Sequence, residues 1–180
     1  MSTPIRWANF FHIYQPPGWE PKTIRKVARE SYRPLIVFLK KNKTVRLSLN
    51  INASLSEQLD RLRYGSLLND IRVLARRKQI ELTGSAAYHP LLPLLPASEI
   101  TRQIRLNEKI NRTYFGPAYS PRGFFPPEMA YSKKVALCAK RAGYKWLLID
   151  EIAYNGRIGS VPYRHAHTIK DAGIKVLFRN

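Results

Sequence analysis

Gly123–Ile149 reads GFFPPEMAYSKKVALCAKRAGYKWLLI, and this stretch decides the fold class. Gly123 to Phe125 is a short apolar strand, stopped by Pro126 and Pro127, which cannot donate to a sheet ladder. Ser132 opens an amphipathic helix that runs to Ala142 and is closed by Gly143. Lys145 to Ile149 (KWLLI) is then a second strand. Strand, helix and strand in this order imply parallel pairing through a right-handed crossover.

The same alternation extends outward in both directions. Trp7 to Ile13 reads as a first strand, ending at Tyr14-Gln-Pro-Pro. A helix is expected from about Pro21 to Ser31, and Pro34 restarts a second apolar stretch, Leu35 to Leu39. Val45 to Asn52 alternates apolar and polar residues with the period of a strand. Ser54 or Ser56 would cap the next helix, with Leu55, Leu59 and Leu62 as its stripe. Gly65 interrupts it before Leu67, Leu68, Ile71 and Leu74. Ile80 to Thr83 is a third strand, and Tyr88 to Pro96 is an apolar proline-rich loop. Ser98 would cap a long helix to about Tyr114, and Ile174 to Phe178 is the last strand. Six strands are too few for a closed eight-unit barrel of about 250 residues. The expectation is one α/β domain over residues 1–180, an incomplete barrel or an open sheet. The pattern breaks off at Asn180 just after a strand, so a C-terminal part is expected to be missing or its place covered.

Composition narrows the function. The 180 residues carry 31 Lys and Arg against 12 Asp and Glu, a formal net charge of +19, and are 44% apolar. That apolar content supports a core and excludes intrinsic disorder. No apolar run approaches the ~20 residues of a membrane span, and the first residues lack the pattern of a secretory signal, so a cytoplasmic protein is expected. Most cations fall on the polar faces of helices, as do Arg25, Lys26 and Arg29. They predict at most non-specific nucleic-acid binding. Cys138, the single cysteine, reads as a small buried hydrophobe.

In parallel α/β folds, sites form at the carboxyl ends of strands. Those positions hold His12, Tyr14 and Gln15 on the first strand and Asn50 and Asn52 on the second. Glu81 lies on the third strand, Glu128 after the fourth, and Asp150 and Glu151 after the fifth. Glu128 follows a rigid apolar lead-in, the setting of a carboxylate kept for chemistry rather than for solvation. Glu81 points into the cleft or makes an ion pair with an arginine. Of Asp150 and Glu151, one caps a loop while the other faces the cleft.

Three segments carry a resemblance. HIYQPP from His12, IELTGSAAYHP from Ile80 and GFFPPEMA from Gly123 resemble, in order and spacing, three conserved blocks of glycoside hydrolase family 57. The resemblance runs from about Trp7 to the C-terminus. It implies an incomplete (β/α)7 barrel that acts on α-glucans or maltooligosaccharides by a retaining mechanism, as an amylase or a glucanotransferase, with neither metal nor cofactor. It makes Glu128 resemble the catalytic nucleophile, and it places His12, Gln15, Pro16 and Glu81 at the edge of the substrate subsite. Tyr14 stands where many members have a second histidine, and Phe125 where many have tryptophan; both would touch sugar. The family's acid/base aspartate lies in a later block that nothing here matches. Asp150 is left as a substrate-side carboxylate, and a partner chain or self-association is one way to complete the barrel.

Two other readings stand beside this one. His165 and His167, with Asp150, would suit a metal-dependent hydrolase of the polysaccharide-deacetylase kind. Trp19, Tyr88, Phe125 and Tyr131 would suit a catalytically inactive module that binds glycan, the basic surface a module that binds polyanions.

Overall fold

The structure, a computed structural model, describes residues 8–164 and 167–179. Six strands run parallel: β1 (Phe10–Ile13), β2 (Leu47–Ile51), β3 (Ile80–Thr83), β4 (Gly123–Phe124), β5 (Trp146–Asp150) and β7 (Ile174–Arg179). Between the last two, β6 (His167–Ile169) pairs antiparallel with β7. The spatial order is β1-β2-β3 and β4-β5-β7-β6. A single parallel bridge, Gly84 to Phe124, joins the two groups. There Gly84 N–H donates to Gly123 O at 2.8 Å and Phe125 N–H to Gly84 O at 2.9 Å.

The helices are α1 (Pro21–Val27), α2 (Arg33–Lys41), α3 (Ala53–Arg61), α4 (Gly65–Arg76), α5 (Ala97–Phe115), α6 (Lys133–Arg141) and the single turn α7 (Ile152–Asn155). All but the last alternate with the strands and cover one face of the sheet. Leu47, Leu49 and Ile51 of β2 point to that face, where Leu39, Leu55, Leu59, Ile71 and Leu74 are buried against them. A second core forms under β4, β5 and β7, from Phe124, Leu147, Ile149 and Ile174 with Ile104, Val135 and Ala139. The intervening residues Phe10, His12, Ser48, Asn50, Glu81, Thr83, Trp146, Leu148 and Asp150 therefore look out from the opposite face.

Several expected boundaries move. The first helix does not stop near Ser31. It widens into a π-type turn over Ala28–Tyr32 and continues as α2, and the widened turn lies just before Pro34, which has no N–H to give to the preceding turn. Asn52, not Ser54 or Ser56, caps α3 by accepting from Leu55 N–H. Pro96 precedes α5, and Ser98 lies inside it. Ser132 caps α6 by accepting from Val135 N–H, and Gly143 ends it with φ of +98°. Sequence periodicity missed β6 altogether, since a three-residue strand is too short to show a period.

Buried asparagines lock helix to sheet. Asn107 Oδ1 accepts from Ala53 N–H at 2.8 Å, Asn111 Nδ2 donates to Ile51 O at 3.0 Å, and Ser56 Oγ lies 2.7 Å from Asn111 Oδ1. These bonds fix the carboxyl end of β2, where the first residues of the site begin.

Candidate active site

β4 ends at Phe124, and the chain turns at once through Phe125-Pro126-Pro127. The turn closes with Met129 N–H donating to Pro126 O at 2.8 Å and Ala130 N–H to Pro127 O at 3.1 Å. It holds Glu128 at φ +56° and Met129 at φ +54°. A left-handed conformation costs a non-glycine residue roughly 1–2 kcal/mol, so a surrounding structure must impose it. Here the two prolines do, together with Ser85 Oγ donating to Phe125 O at 2.8 Å. The Glu128 side chain projects from this turn and is 68% exposed.

A second loop presents His89, also left-handed at φ +58°. Tyr88 N–H donates to the Gln103 side-chain oxygen and Ala87 N–H to the Gln103 backbone, which fixes this loop on α5. His89 stacks on Tyr14 with ring centres 3.9 Å apart and an interplanar angle of 12°. His12 lies 5.1 Å from His89 and 4.7 Å from Phe125, and Phe125 stacks in turn on Phe10 at 5.3 Å. Five rings thus form one cluster, whose His89 edge meets Glu128 and whose His12 and Tyr14 feel its charge.

Hydrogen bonds order the imidazoles. Asn50 Nδ2 donates to Thr83 Oγ1 at 3.1 Å and to Gly84 O at 3.3 Å, so its Oδ1 faces His12 Nδ1 at 2.8 Å. That pattern assigns the proton of neutral His12 to Nδ1. His12 Nε2 is then an acceptor for His89 Nε2 at 3.2 Å. His89 Nδ1 is left as a lone pair 3.6 Å from Glu128 Oε1. A proton taken up by the imidazole pair completes this ladder and turns the last contact into an ion pair. Loss of water, aided by the charge His12 would carry, pushes His89 down to about 4. His12 is lowered by the same desolvation, with the Asn50 bond and the Glu128 charge opposing it. The Tyr14 phenol is raised by desolvation and then by Glu128, so it remains a donor.

The structure therefore brings His12, Tyr14, Phe125 and Glu128 together. It adds Asn50, which the sequence placed at a strand end, and His89, which the sequence quoted only as part of a motif. Gln15 adjoins the cluster, with Nε2 donating to Tyr32 Oη at 2.9 Å and its buried Oε1 without a partner.

Glu81 stands apart. It pairs in register with Ser48, two residues nearer the amino ends than the layer of His12, Asn50 and Thr83. Its side chain is exposed in an open groove of about 670 Å³ that Arg46 and Arg122 also line. Among the described residues it makes no ion pair. Asp150 and Glu151 have local duties. Asp150 accepts from Ile152 N–H at 3.0 Å and pairs with Arg179 at 3.3 Å, while Glu151 accepts from Gly159 N–H and Tyr163 Oη. Asn52 is wholly buried as a helix cap, away from the site.

The residues of the other two readings are scattered. His165 lies outside the described residues. His167 packs edge-on between Tyr154 and Phe178 with Nε2 near Pro162 O, and among the described residues no group of three His, Cys, Asp or Glu gathers. Tyr131 packs against the second core. Trp19 and Tyr88 are exposed. No helix among the described residues is long and apolar enough to cross a membrane.

Comparison with known proteins places the family and the fold. The model of glycosyl hydrolase family 57 matches residues 7–180. Alpha-amylase 1 of Dictyoglomus thermophilum is 24% identical over 151 residues, which are 84% of this chain and 22% of that enzyme. A 4-alpha-glucanotransferase of Thermococcus kodakarensis is 24% identical over 140 residues, 78% of this chain and 21% of that enzyme. Among solved structures, the 4-alpha-glucanotransferase of Thermococcus litoralis matches with a TM-score of 0.85 at 20% identity, over 95% of this chain and 27% of that one. A family 4 carbohydrate esterase of Streptomyces lividans shares the fold less closely, with a TM-score of 0.57 at 15% identity, over 83% of this chain and 66% of that one. The chain thus spans about a fifth of the length of the curated relatives it matches. With the fold and the family match along nearly all its length in agreement, the chain belongs to glycosyl hydrolase family 57.

Proposed function

We propose that this chain carries the nucleophile half of an α-glucan active site, with Glu128 as the nucleophile of a retaining double displacement. The observation that carries the reading is the Glu128 turn. A carboxylate held left-handed on a Pro-Pro lead-in, beside the ring cluster of His89, His12 and Tyr14, is oriented before substrate arrives. The α-glucan substrate is inferred from the relatives named as amylases and glucanotransferases.

In the first step a Glu128 oxygen bonds to the anomeric carbon while the glycosidic oxygen leaves with its electron pair. Water, or the hydroxyl of another sugar, then breaks the glycosyl ester. His12, Tyr14, Gln15 and Phe125 would hold the sugar ring at this centre, and Glu81 and Asp150 would contact a longer glucan farther along the same face. The leaving oxygen needs a proton from a second carboxylate about 5–5.5 Å from the nucleophile. With Asp150 and Glu151 held by their local partners, we assign that acid/base to residues beyond those described, on a sheet that is part of an incomplete (β/α)7 barrel. Completion by further sequence or by a second chain is the form we propose for the working enzyme.

α-Glucosyl fluoride tests this reading, because fluoride leaves without protonation and so does not need the acid/base. The folded chain should release fluoride, and Glu128→Ala should not. Equal release by both, or none from the folded chain, would overturn the reading.

A further inference from the structure

Beside the Tyr14–Gln15 segment lies a groove of about 240 Å³, lined among others by Pro17, Trp19, Ile24, Gln58, Arg61 and Leu62. We propose that this groove is a second carbohydrate subsite that takes one glucosyl unit of the glucan bound at Glu128, with Trp19 as its platform and Gln58 Oε1 as acceptor of a sugar hydroxyl. The inference rests on the α-glucan reading above and adds a place to it.

Gln58 is the reason to look here. It lies on α3, is only 3% exposed, and donates from Nε2 to Gln15 O at 3.0 Å. That bond settles which end of the amide is which, since a backbone carbonyl accepts only from the NH2 group. Oε1 is consequently the free end, and no donor reaches it. A buried carbonyl without a partner is rare enough in folded proteins to require an explanation. A ligand hydroxyl supplies one.

The rest of the groove has the composition of a sugar subsite. Trp19 is 48% exposed, although burying an indole is among the largest apolar gains open to a chain. The turn bond from Trp19 N–H to Pro16 O, at 3.1 Å, fixes its backbone. An indole face suits the apolar face of a pyranose, and Arg61 adds donors at the rim. Oε1 is itself buried, so the proposal requires one of the exposed groove side chains, Trp19 or Arg61, to shift on binding.

The groove is continuous with the active site along the chain. Tyr14 stacks on His89, Gln15 carries the neighbouring unpaired Oε1, and Gln58 grips the Gln15 backbone. Trp19 is five positions after Tyr14, a span of at most about 18 Å even when fully extended. A short maltooligosaccharide reaches that far. A proline-rich peptide would also stack on Trp19, but it brings mainly acceptors to a site that lacks a donor.

The test uses the full chain labelled with 5-fluorotryptophan, whose three tryptophans give three fluorine resonances, titrated with maltohexaose. The imidazole nitrogens of His12 and His89 report the Glu128 site in the same sample. The Trp19 resonance should move together with those nitrogens, and Trp19→Ala, at an exposed position, should weaken binding about tenfold while the imidazoles still respond. Gln58→Leu should remove the Trp19 response. Movement of His12 and His89 with Trp19 silent, or a Trp19 response unchanged in Gln58→Leu, overturns the groove and leaves the α-glucan reading standing. Silence at both places in a folded chain overturns both.

Discussion

His89 and Glu128, 39 positions apart in sequence, are both held left-handed, at φ +58° and +56°, and meet with Nδ1 3.6 Å from Oε1. Two strained residues facing each other across one site are constraints imposed by the fold on function. Because burial keeps His89 neutral until about pH 4, its Nδ1 presents a lone pair to Glu128 at neutral pH.

The stability of the protein should carry the mark of this burial. The His89 pKa in the fold lies below the unfolded value of 6.5, so the unfolded chain binds its proton first. The stability that neutral His89 contributes is present above pH 6.5 and is lost as pH falls from about 6.5 to about 4. The loss is on the order of 2 kcal/mol once the solvent near the rim is allowed for. Urea unfolding at pH 7, 5.5 and 4 should show a steeper decline for the native chain than for His89→Phe.

Glu128 offers a second test of strain. Glu128→Gly should fold at least as stably as the native chain, gaining up to about 0.5 kcal/mol, because glycine adopts φ +56° without the Cβ clash. Glu128→Val should lose about 1–2 kcal/mol, and fluoride release should vanish in both. Thermal unfolding with matched activity assays separates the two effects.

Asn50 is wholly buried and joins three strands through its amide. Asn50→Leu should cost about 2–3 kcal/mol, since the His12, Thr83 and Gly84 groups lose their partner. It should also release the His12 tautomer, seen as a change in the ¹⁵N shifts of that ring at neutral pH.

Gly84 makes the junction between the two strand groups possible. A Cβ there would lie 2.0 Å from Tyr144 Oη and 2.3 Å from its ring. Tyr144 is anchored by donating to Glu108 at 2.8 Å and cannot retreat freely. Gly84→Ala should lower stability by about 3 kcal/mol, and shortening the ring in Gly84→Ala/Tyr144→Leu should recover part of that loss.

The parts legible in the sequence were those with a local cause. Alternation over Val45 to Asn52 and the apolar stripe after Ser132 foretold β2 and α6 because both follow from which face is buried. Pro126 and Pro127 marked Glu128 for the same reason, as a rigid turn can be read from adjacent residues. What escaped depends on pairing across the fold. His89 matters because it meets His12, 77 residues away, and nothing within the proline-rich loop announces that contact. The pairing of Asp150 with Arg179 escaped for the same reason, since only the β5–β7 register sets the two side by side. Three-residue β6 exists only as the partner of β7.

The central claim is that Glu128 attacks the anomeric carbon. Incubating the folded chain with 5-fluoro-α-glucosyl fluoride, which forms the glycosyl ester but slows its release, followed by proteolysis and mass spectrometry, measures this directly. The account predicts one added fluoroglucosyl group on the peptide that contains Glu128, and none in Glu128→Gln. An adduct on another carboxylate, or an unmodified chain after prolonged incubation, would contradict it.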